Sequence, residues 1–261
     1  MLSRFDIVLA QETHGVETDW NFRPSSHQYY STHYEPNLAT GASASGGCVI
    51  AINRAEYLHE NAEIQRTVIQ RGRCIAVHIL DNRRNLLIIN LHLQPNLTTT
   101  QKKNLFNDIK NFIDNHNHAT VIFGGDFNFI HNDDRRYDPT SGSELIESND
   151  IATHFESTFT EYTELFQPNF TRAQAKNPNT GTFSRIDRFY TNIPAPHLTT
   201  LSINVDTIGN ILSLNRPSDH IPVFAKILKE KPRYSNNIPH HIASHENYGK
   251  NLSKYHYDID P

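Results

Sequence analysis

The stretch VIFGGDFNFI, residues 121–130, is an apolar run that passes through two glycines and then offers a carboxylate and an amide. Its length and composition predict a buried β-strand. Asp126 and Asn128 are two residues apart, so their side chains point the same way if the strand continues. Gly124 and Gly125 would permit a ligand or loop to approach the backbone closely. An Asx turn that closes the strand explains the same polar pair without any function.

Four further apolar segments meet polar side chains of similar chemistry at their ends. These side chains are Glu12, His92, the pair Arg185 and Asp187 on one predicted strand face, and the pair Asp219 and His220. Taken singly, each has a plain explanation as a solvated strand end, a half-buried histidine, a surface ion pair or a turn. Those explanations do not account for the recurrence, and ligands collect at strand ends in α/β folds. We therefore expect one shared site.

Segments rich in β-branched residues dominate the chain. Strands are predicted at residues 5–13, 47–55, 73–80, 85–96, 119–130, 182–192, 201–208 and 220–229. One helix is predicted at 98–117 from its apolar spacing and capping threonines, and one or two more within 132–179. Residues 14–47 are interpreted mostly as loops, with at most one short strand.

This pattern predicts an α/β fold, a four-layered α/β sandwich in which two packed, mostly antiparallel β-sheets are flanked by helices. The predicted domain covers residues 1–229, and the polar residues 230–261 are predicted to be a tail or linker.

Composition limits the classes of partner. The chain has 261 residues, with 24 Lys and Arg against 28 Asp and Glu, and a net charge of −4. This balance gives no general attraction to nucleic acid or anionic membranes, so a polyanion would need a local basic patch or a metal ion. Cys48 and Cys74 lie in apolar runs and are expected to be reduced core residues. Without a signal peptide or a long apolar span, the chain is expected to be soluble and intracellular, with no membrane partner and no obligate protein partner.

The polar residues suit phosphodiester hydrolysis. Glu12 can hold Mg²⁺, which prefers oxygen ligands and would neutralise charge on a phosphate or leaving oxygen. Asp126 can orient and deprotonate an attacking water, while Asn128 helps to hold that water or the phosphate. An imidazolium at His220 would stabilise the negative transition state, and Asp187 would raise the pKa of His220 and orient its ring.

Four motifs carry a family resemblance: QET at 11–13, GGDFN at 124–128, SRIDRFY at 184–190 and SDHIPV at 218–223. In this order they resemble the signature blocks of the endonuclease/exonuclease/phosphatase superfamily, which has the DNase I-like fold. The sequence is most similar to the apurinic-type endonuclease domain of non-LTR (LINE-type) retrotransposons, over residues 6–227. The resemblance implies DNA as the partner and Mg²⁺ as the cofactor, with Mn²⁺ as a substitute. It also implies fusion to a reverse transcriptase in relatives, and a nuclear location for an active retroelement endonuclease.

The resemblance also implies a role for each site residue. The catalytic residues would be Asp126, Asn128, Asp187, His220 and His92; the metal ligands Glu12 and Asp219; and the substrate-binding residues Ser184 and Arg185. His92 stands where apurinic-type relatives have tyrosine and DNase- or sphingomyelinase-type relatives have histidine, and either side chain could contact the phosphate.

One departure from the family pattern leaves three functions open. The family begins with a strand that carries an asparagine metal ligand and then a helix, for which the residues before Phe5 are too few. We therefore expect this strand and helix to be missing, which would weaken metal binding and nicking. The chain is then a Mg²⁺-dependent DNA-nicking endonuclease, a non-catalytic truncated remnant that binds DNA or a partner, or a phosphatase or sphingomyelinase-like hydrolase.

Overall fold

The computed structural model describes residues 4–14, 25–34, 46–132, 134, 136–138, 143–145, 150–174, 181–209 and 218–227. The predicted tail at 230–261 and much of the predicted loop region at 14–47 lie outside these residues. In chain order the elements are β1 (Ile7–Gln11), β2 (His27–Thr32), β3 (Cys48–Asn53), α1 (Arg54–Tyr57), β4 (Glu63–Gln70), β5 (Cys74–Leu80), β6 (Asn85–His92), α2 (Thr99–Asp114), β7 (Thr120–Asp126), β8 (Arg136–Asp138), β9 (Ser143–Leu145), α3 (Asp150–Thr158), β10 (Thr163–Glu164), β11 (Arg172–Ala173), β12 (Phe183–Ser184), β13 (Asp187–Thr191), α4 (Ala195–Thr200), β14 (Ile203–Thr207) and β15 (Val223–Ile227).

A six-stranded sheet in the order β10-β13-β7-β6-β5-β4 forms the centre of the molecule. All of its neighbouring strands pair antiparallel except β6 and β7, which are parallel. A parallel pair needs a long crossover connection, and α2 supplies it. Helix α2 begins with a capping box between Thr98 and Gln101, which pairs backbone N–H groups that would otherwise lack partners.

Apolar side chains cover both faces of this sheet. On one face, residues of β6 and β7 pack against α2 and α3 in a core that contains Phe106, Phe123 and Phe155. On the other face, the sheet packs against the smaller sheet β1-β3-β2 through residues such as Ile50 and Val77. The prediction of two packed, mostly antiparallel sheets with helices outside is therefore confirmed. Two smaller sheets, β11-β12-β8-β9 and β14-β15, add to them.

Asn90 joins the two packed sheets. It lies on β6 and is fully buried, and its amide nitrogen donates to the carbonyl oxygens of Ala10 at 2.9 Å and Val49 at 2.8 Å. Its oxygen accepts a hydrogen bond from the side chain of Gln11 at 2.6 Å. Because burying an unpaired amide is costly, these bonds fix how β1 and β3 lie on the central sheet.

The structure differs from the predicted elements in several places. Strand β4 was not predicted, since it is a polar edge strand with a mixed burial pattern. The predicted strand at 182–192 is two strands in different sheets, because the chain turns at residues 185–186. Within residues 132–179, α3 agrees with the helical prediction, but the short strands β8, β9, β10 and β11 were not predicted.

Within the described residues, no helix is long and apolar enough to cross a bilayer.

Candidate active site

Three neighbouring strands place three polar side chains in one row. The parallel strands β6 and β7 end at the same edge of the sheet, where His92 is opposite Asp126. The antiparallel strand β13 begins at that edge, where Asp187 is opposite Asp126. Side chains at the same level of adjacent strands project to the same face. The row therefore lies at one rim of the central sheet, on the face that packs against β1-β3-β2.

The turn after β7 orients the carboxylate of Asp126. The backbone N–H of Asn128 donates to Oδ1 at 2.9 Å, and its side-chain Nδ2 donates to Oδ2 at 2.7 Å. Asn128 has a φ of 49°, in the left-handed region that asparagine tolerates better than most residues. The Asx turn and the functional arrangement are thus the same structure, since the turn that ends the strand also holds the carboxylate.

The two glycines before Asp126 are required by neighbouring protein atoms. A Cβ at Gly125, whose φ is 138°, would lie 1.9 Å from the carbonyl oxygen of Leu91. A Cβ at Gly124 would lie 2.4 Å from the ring of Phe189. The close approach expected from the sequence is therefore made by the adjacent strands β6 and β13.

His220 faces Asp126 from just before β15. Its Nδ1 lies 2.9 Å from Oδ2 of Asp187, and its Nε2 lies 4.0 Å from Oδ2 of Asp126. Thr171 supports this arrangement, because its hydroxyl accepts the N–H groups of Ile186 and Asp187. The carboxylate of Asp187 thus holds the imidazole by Nδ1, and Nε2 on the other side of the ring faces the carboxylate of Asp126.

The pKa values of His220 and Asp126 are both raised, which is the direction that acid–base catalysis at neutral pH needs. Burial lowers the pKa of His220, but the hydrogen bond that its ring donates to Asp187 and the surrounding carboxylates outweigh it and raise the pKa to about 9. Burial and the nearby charge of Asp187 raise the pKa of Asp126 to about 7. At neutral pH His220 is therefore an imidazolium, and it lies beside the carboxyl group of Asp126, which can gain or lose a proton near that pH.

Glu12 approaches the same rim from the other sheet. It follows β1, its φ is 52°, and its side chain is 61% exposed. Its Oε1 lies 3.5 Å from Nε2 of His92, and that same nitrogen lies 3.9 Å from Oδ2 of Asp126. The carboxylates of Glu12 and Asp126 thus flank one imidazole nitrogen, so a single hydrated cation could contact both.

Asp126, Asp187 and His220 offer ligand atoms that all lie within 4.8 Å of one another. Such a group can hold a metal ion. While His220 is protonated on both nitrogens, however, it has no lone pair to give to a metal. The oxygen atoms of Glu12 and Asp126 are the donors that a hard cation such as Mg²⁺ prefers.

Two other predicted site residues, Arg185 and Ser184, lie in the interior of the protein. Arg185 is buried, and its guanidinium forms ion pairs with Asp134 at 2.7 Å and with Glu164. It does not share a strand face with Asp187, whose carboxylate pairs with His220. Ser184 is also buried, so contact between substrate and either Ser184 or Arg185 stays a prediction.

Asp219 directly precedes His220, and its negative charge contributes to the raised pKa of His220. Its Oδ2 accepts a hydrogen bond from Nε of Arg172 at 3.1 Å, and its side chain is 46% exposed. A metal-ligand role for Asp219 stays a prediction.

Sequence reasoning missed two residues that hold the site together. Arg73 contacts His92 from the turn just before β5, and Asn90 attaches the segment that carries Glu12. The strand containing Arg73 was predicted, but the partner of an arginine at a strand end becomes visible only with the strand register. Asn90 is two residues before His92, so period-two spacing puts both on one strand face, and that alternation was the available signal.

Comparison with known proteins agrees with this architecture. The sequence model of the endonuclease/exonuclease/phosphatase family matches residues 1–220. No curated protein matches the chain by sequence. The fold is similar to the endonuclease domain of TRAS1, a telomere-specific non-LTR retrotransposon, with 14% identity, a TM-score of 0.57, and coverage of 88% of this chain and 89% of that one.

Two further solved structures share the fold. One is D. rerio TDP2 complexed with a single-strand DNA product, with 14% identity, a TM-score of 0.56 and coverage of 86% of both chains. The other is the mannosyl-6-phosphatase Bt3783 of Bacteroides thetaiotaomicron, with 17% identity, a TM-score of 0.55, and coverage of 87% of this chain and 86% of that one. Identities this low show the fold alone. Because the family model spans most of the sequence, the chain belongs to the endonuclease/exonuclease/phosphatase family, whose members are hydrolytic nucleases and phosphatases.

Proposed function

We propose that this chain is a Mg²⁺-dependent phosphodiesterase that nicks DNA, an endonuclease of the retrotransposon type. The observation that carries the proposal is the position of Asp126. Its Oδ2 is fixed by Asn128 at 2.7 Å and lies 4.0 Å from Nε2 of a histidine that Asp187 keeps protonated. A base and a cation thus lie side by side at one rim of the sheet, which is the arrangement that hydrolysis of a phosphate ester needs.

The side chains divide the reaction between them. Asp126 accepts a proton from water at Oδ2, and the oxygen of that water attacks the phosphorus of a phosphodiester. The bond from phosphorus to the leaving oxygen breaks, and that oxygen takes a proton from solvent water, which gives a phosphomonoester and an alcohol. Nε2–H of His220 stabilises the charge that develops on the phosphoryl oxygens, and Asp187 keeps that imidazole charged and oriented.

Glu12 would hold the metal, and the carboxylate of Asp126, the base, would lie beside it. Their carboxylates flank the same nitrogen, and the exposure of Glu12 leaves room for the waters that Mg²⁺ retains. A bound Mg²⁺, or Mn²⁺ in its place, supplies positive charge for the phosphate and leaving oxygens. This donor set is made of oxygen atoms, which suits a hard cation.

Conversion of supercoiled plasmid to the nicked circle tests the proposal. With Mg²⁺ the protein is expected to nick, and EDTA should abolish the activity. Asp126→Ala and His220→Ala should each reduce the rate by about 10²–10⁴-fold, the usual contribution of such groups. Asp108→Ala on the exposed face of α2 is the matched control and should leave the rate unchanged.

Other results would reject the proposal. Nicking that persists in EDTA, or in both substituted proteins, would not come from this site. A folded protein that binds DNA without nicking it would support the non-catalytic remnant. Hydrolysis of a phosphomonoester or of sphingomyelin without nicking would support a phosphatase or sphingomyelinase-like hydrolase.

A further inference from the structure

Arg73 is a buried cation directly behind the site. It precedes β5 and is 4% exposed, and its Nη1 lies 3.0 Å from Nδ1 of His92. Its carbonyl oxygen also accepts the backbone N–H of His92 at 2.8 Å. Arg73 therefore holds both the backbone and the ring of this histidine.

The contact determines which nitrogen of His92 carries the proton. A guanidinium can donate hydrogen bonds but cannot accept them, so Nδ1 must be the acceptor and must be unprotonated. The single proton of the neutral ring is then on Nε2. An imidazolium would place a second N–H against the Arg73 donor and two positive charges in contact, which is unfavourable in a buried location.

The resulting N–H group points into the site without a partner. Nε2 of His92 is buried and has no hydrogen-bond partner among the described residues. The oxygens of Glu12 and Asp126 flank it at 3.5 and 3.9 Å, which is too far for a good hydrogen bond. A buried donor without a partner costs free energy until an acceptor arrives.

The positive charge of Arg73 also favours an anion in the site. Its Nε is buried without a partner, and its guanidinium contacts the His92 ring and, at 5.1 Å, the face of the Tyr34 ring. Neither contact is an anion, so this cation raises the positive potential behind His92.

We propose that Arg73 is a positioning residue that fixes His92 as its Nε2–H tautomer, so that His92 donates a hydrogen bond to an anionic phosphate and serves neither as a metal ligand nor as a proton carrier. The identity of the anion as a substrate phosphate rests on the proposed function. The tautomer is a property of the free protein.

Nitrogen-15 NMR of the imidazole rings at neutral pH, on the metal-free full chain, tests the first part. His92 is expected to show a protonated Nε2 and an unprotonated Nδ1. In Arg73→Met the ring should exchange between both tautomers, whereas Arg73→Lys, which also only donates, should retain the Nε2–H form. Arg71→Met is the matched control, since it removes an equal but exposed charge two residues away and should leave the spectrum of His92 unchanged.

Titration with inorganic phosphate tests the second part. Phosphate should shift the Nε2 resonance of His92, and Arg73→Met should weaken this binding about tenfold or more, as expected when charge-assisted donors are lost. Arg71→Met should change it little. The conservative Arg73→Lys should fall between the wild type and Arg73→Met.

Several outcomes would overturn the inference: a proton on Nδ1 or an imidazolium in the wild type, loss of the Nε2–H form in Arg73→Lys, or unchanged phosphate affinity in folded Arg73→Met. The wild-type spectrum decides the tautomer even if Arg73→Met does not fold. None of these measurements uses nicking. An inactive protein with the expected spectrum would contradict the proposed function alone.

Discussion

The two sides of the candidate site are built very differently. Asp126 and Asp187 belong to strands in the middle of the six-stranded sheet, and glycines, an Asx turn and a buried threonine hold them. Glu12 follows β1, the edge strand of the three-stranded sheet, whose five residues are all partly exposed. The acid–base side is thus rigid, while the expected metal side rests on one edge strand. Catalytic geometry is held by dense packing, whereas metal affinity depends on a more weakly supported segment.

Gly125→Ala gives the largest expected effect and tests the rigid side. The new Cβ would meet the carbonyl oxygen of Leu91 at 1.9 Å, at a φ that L-residues rarely adopt, so the free energy of unfolding should fall by about 4 kcal/mol or more. Gly209→Ala is the matched control. It also has a positive φ, at 105°, but no atom within 4 Å, and should cost about 1 kcal/mol. Urea unfolding measures both, and equal losses would show that the rim is not tightly packed.

Asn90→Leu tests the connection between the two sides. Ala10, Val49 and Gln11 would lose their hydrogen-bond partner in a buried place, which should cost about 2–4 kcal/mol of unfolding free energy. Asn104→Leu on the exposed face of α2 is the control and should change stability by less than about 1 kcal/mol. The Mg²⁺ requirement for nicking should rise with Asn90→Leu, because the segment that carries Glu12 is then less constrained. A destabilised variant with unchanged Mg²⁺ dependence would show that the two sides are independent.

Glu12→Gln tests the exposed side directly. The Mg²⁺ concentration for half-maximal nicking should rise about tenfold or more, since a charged ligand becomes a neutral one. The melting temperature of the metal-free protein should stay the same, because this side chain is 61% exposed. Glu63→Gln on the exposed edge of β4 is the control. If Glu12→Gln destabilised the metal-free protein, the exposed side would contribute to stability as the rigid side does.

Asp187→Asn gives the smallest effect and concerns pH. NMR titration of the metal-free protein should give His220 a pKa of about 9, and the substitution should move it towards the ordinary 6.5. A pKa raised on folding stabilises the native state fully below the unfolded value and loses that effect as pH rises through the folded value. Asp187→Asn should therefore reduce stability more at about pH 6 than at about pH 10. The same pKa of His220 in both proteins would remove Asp187 from its assigned role.

Part of this arrangement could be predicted from the sequence. The strand-end recurrence located Asp126, Asn128, Asp187, His220, His92 and Glu12, because period-two spacing and strand ends are local properties. Helix α2 was predicted for the same reason, since its apolar spacing is regular.

The remainder depends on contacts between distant segments. Arg73 reaches His92 through the pairing of β5 with β6, and Arg185 pairs with Asp134 and Glu164 from other parts of the chain. A single sequence contains no register between strands, so neither contact was predictable. The break at residues 185–186 was hidden for the same reason, because the sequence does not show that β12 and β13 join different sheets.

The parallel pairing of β6 with β7 has a consequence for folding. His92 and Asp126 are neighbours in space, yet the whole crossover through α2 separates them along the chain. Closing such a long loop is slow, and its contacts form only after the helix has docked. The row of His92, Asp126 and Asp187 should therefore assemble late in folding. A chain in which α2 is undocked should lose its catalytic activity while much of its β-structure persists.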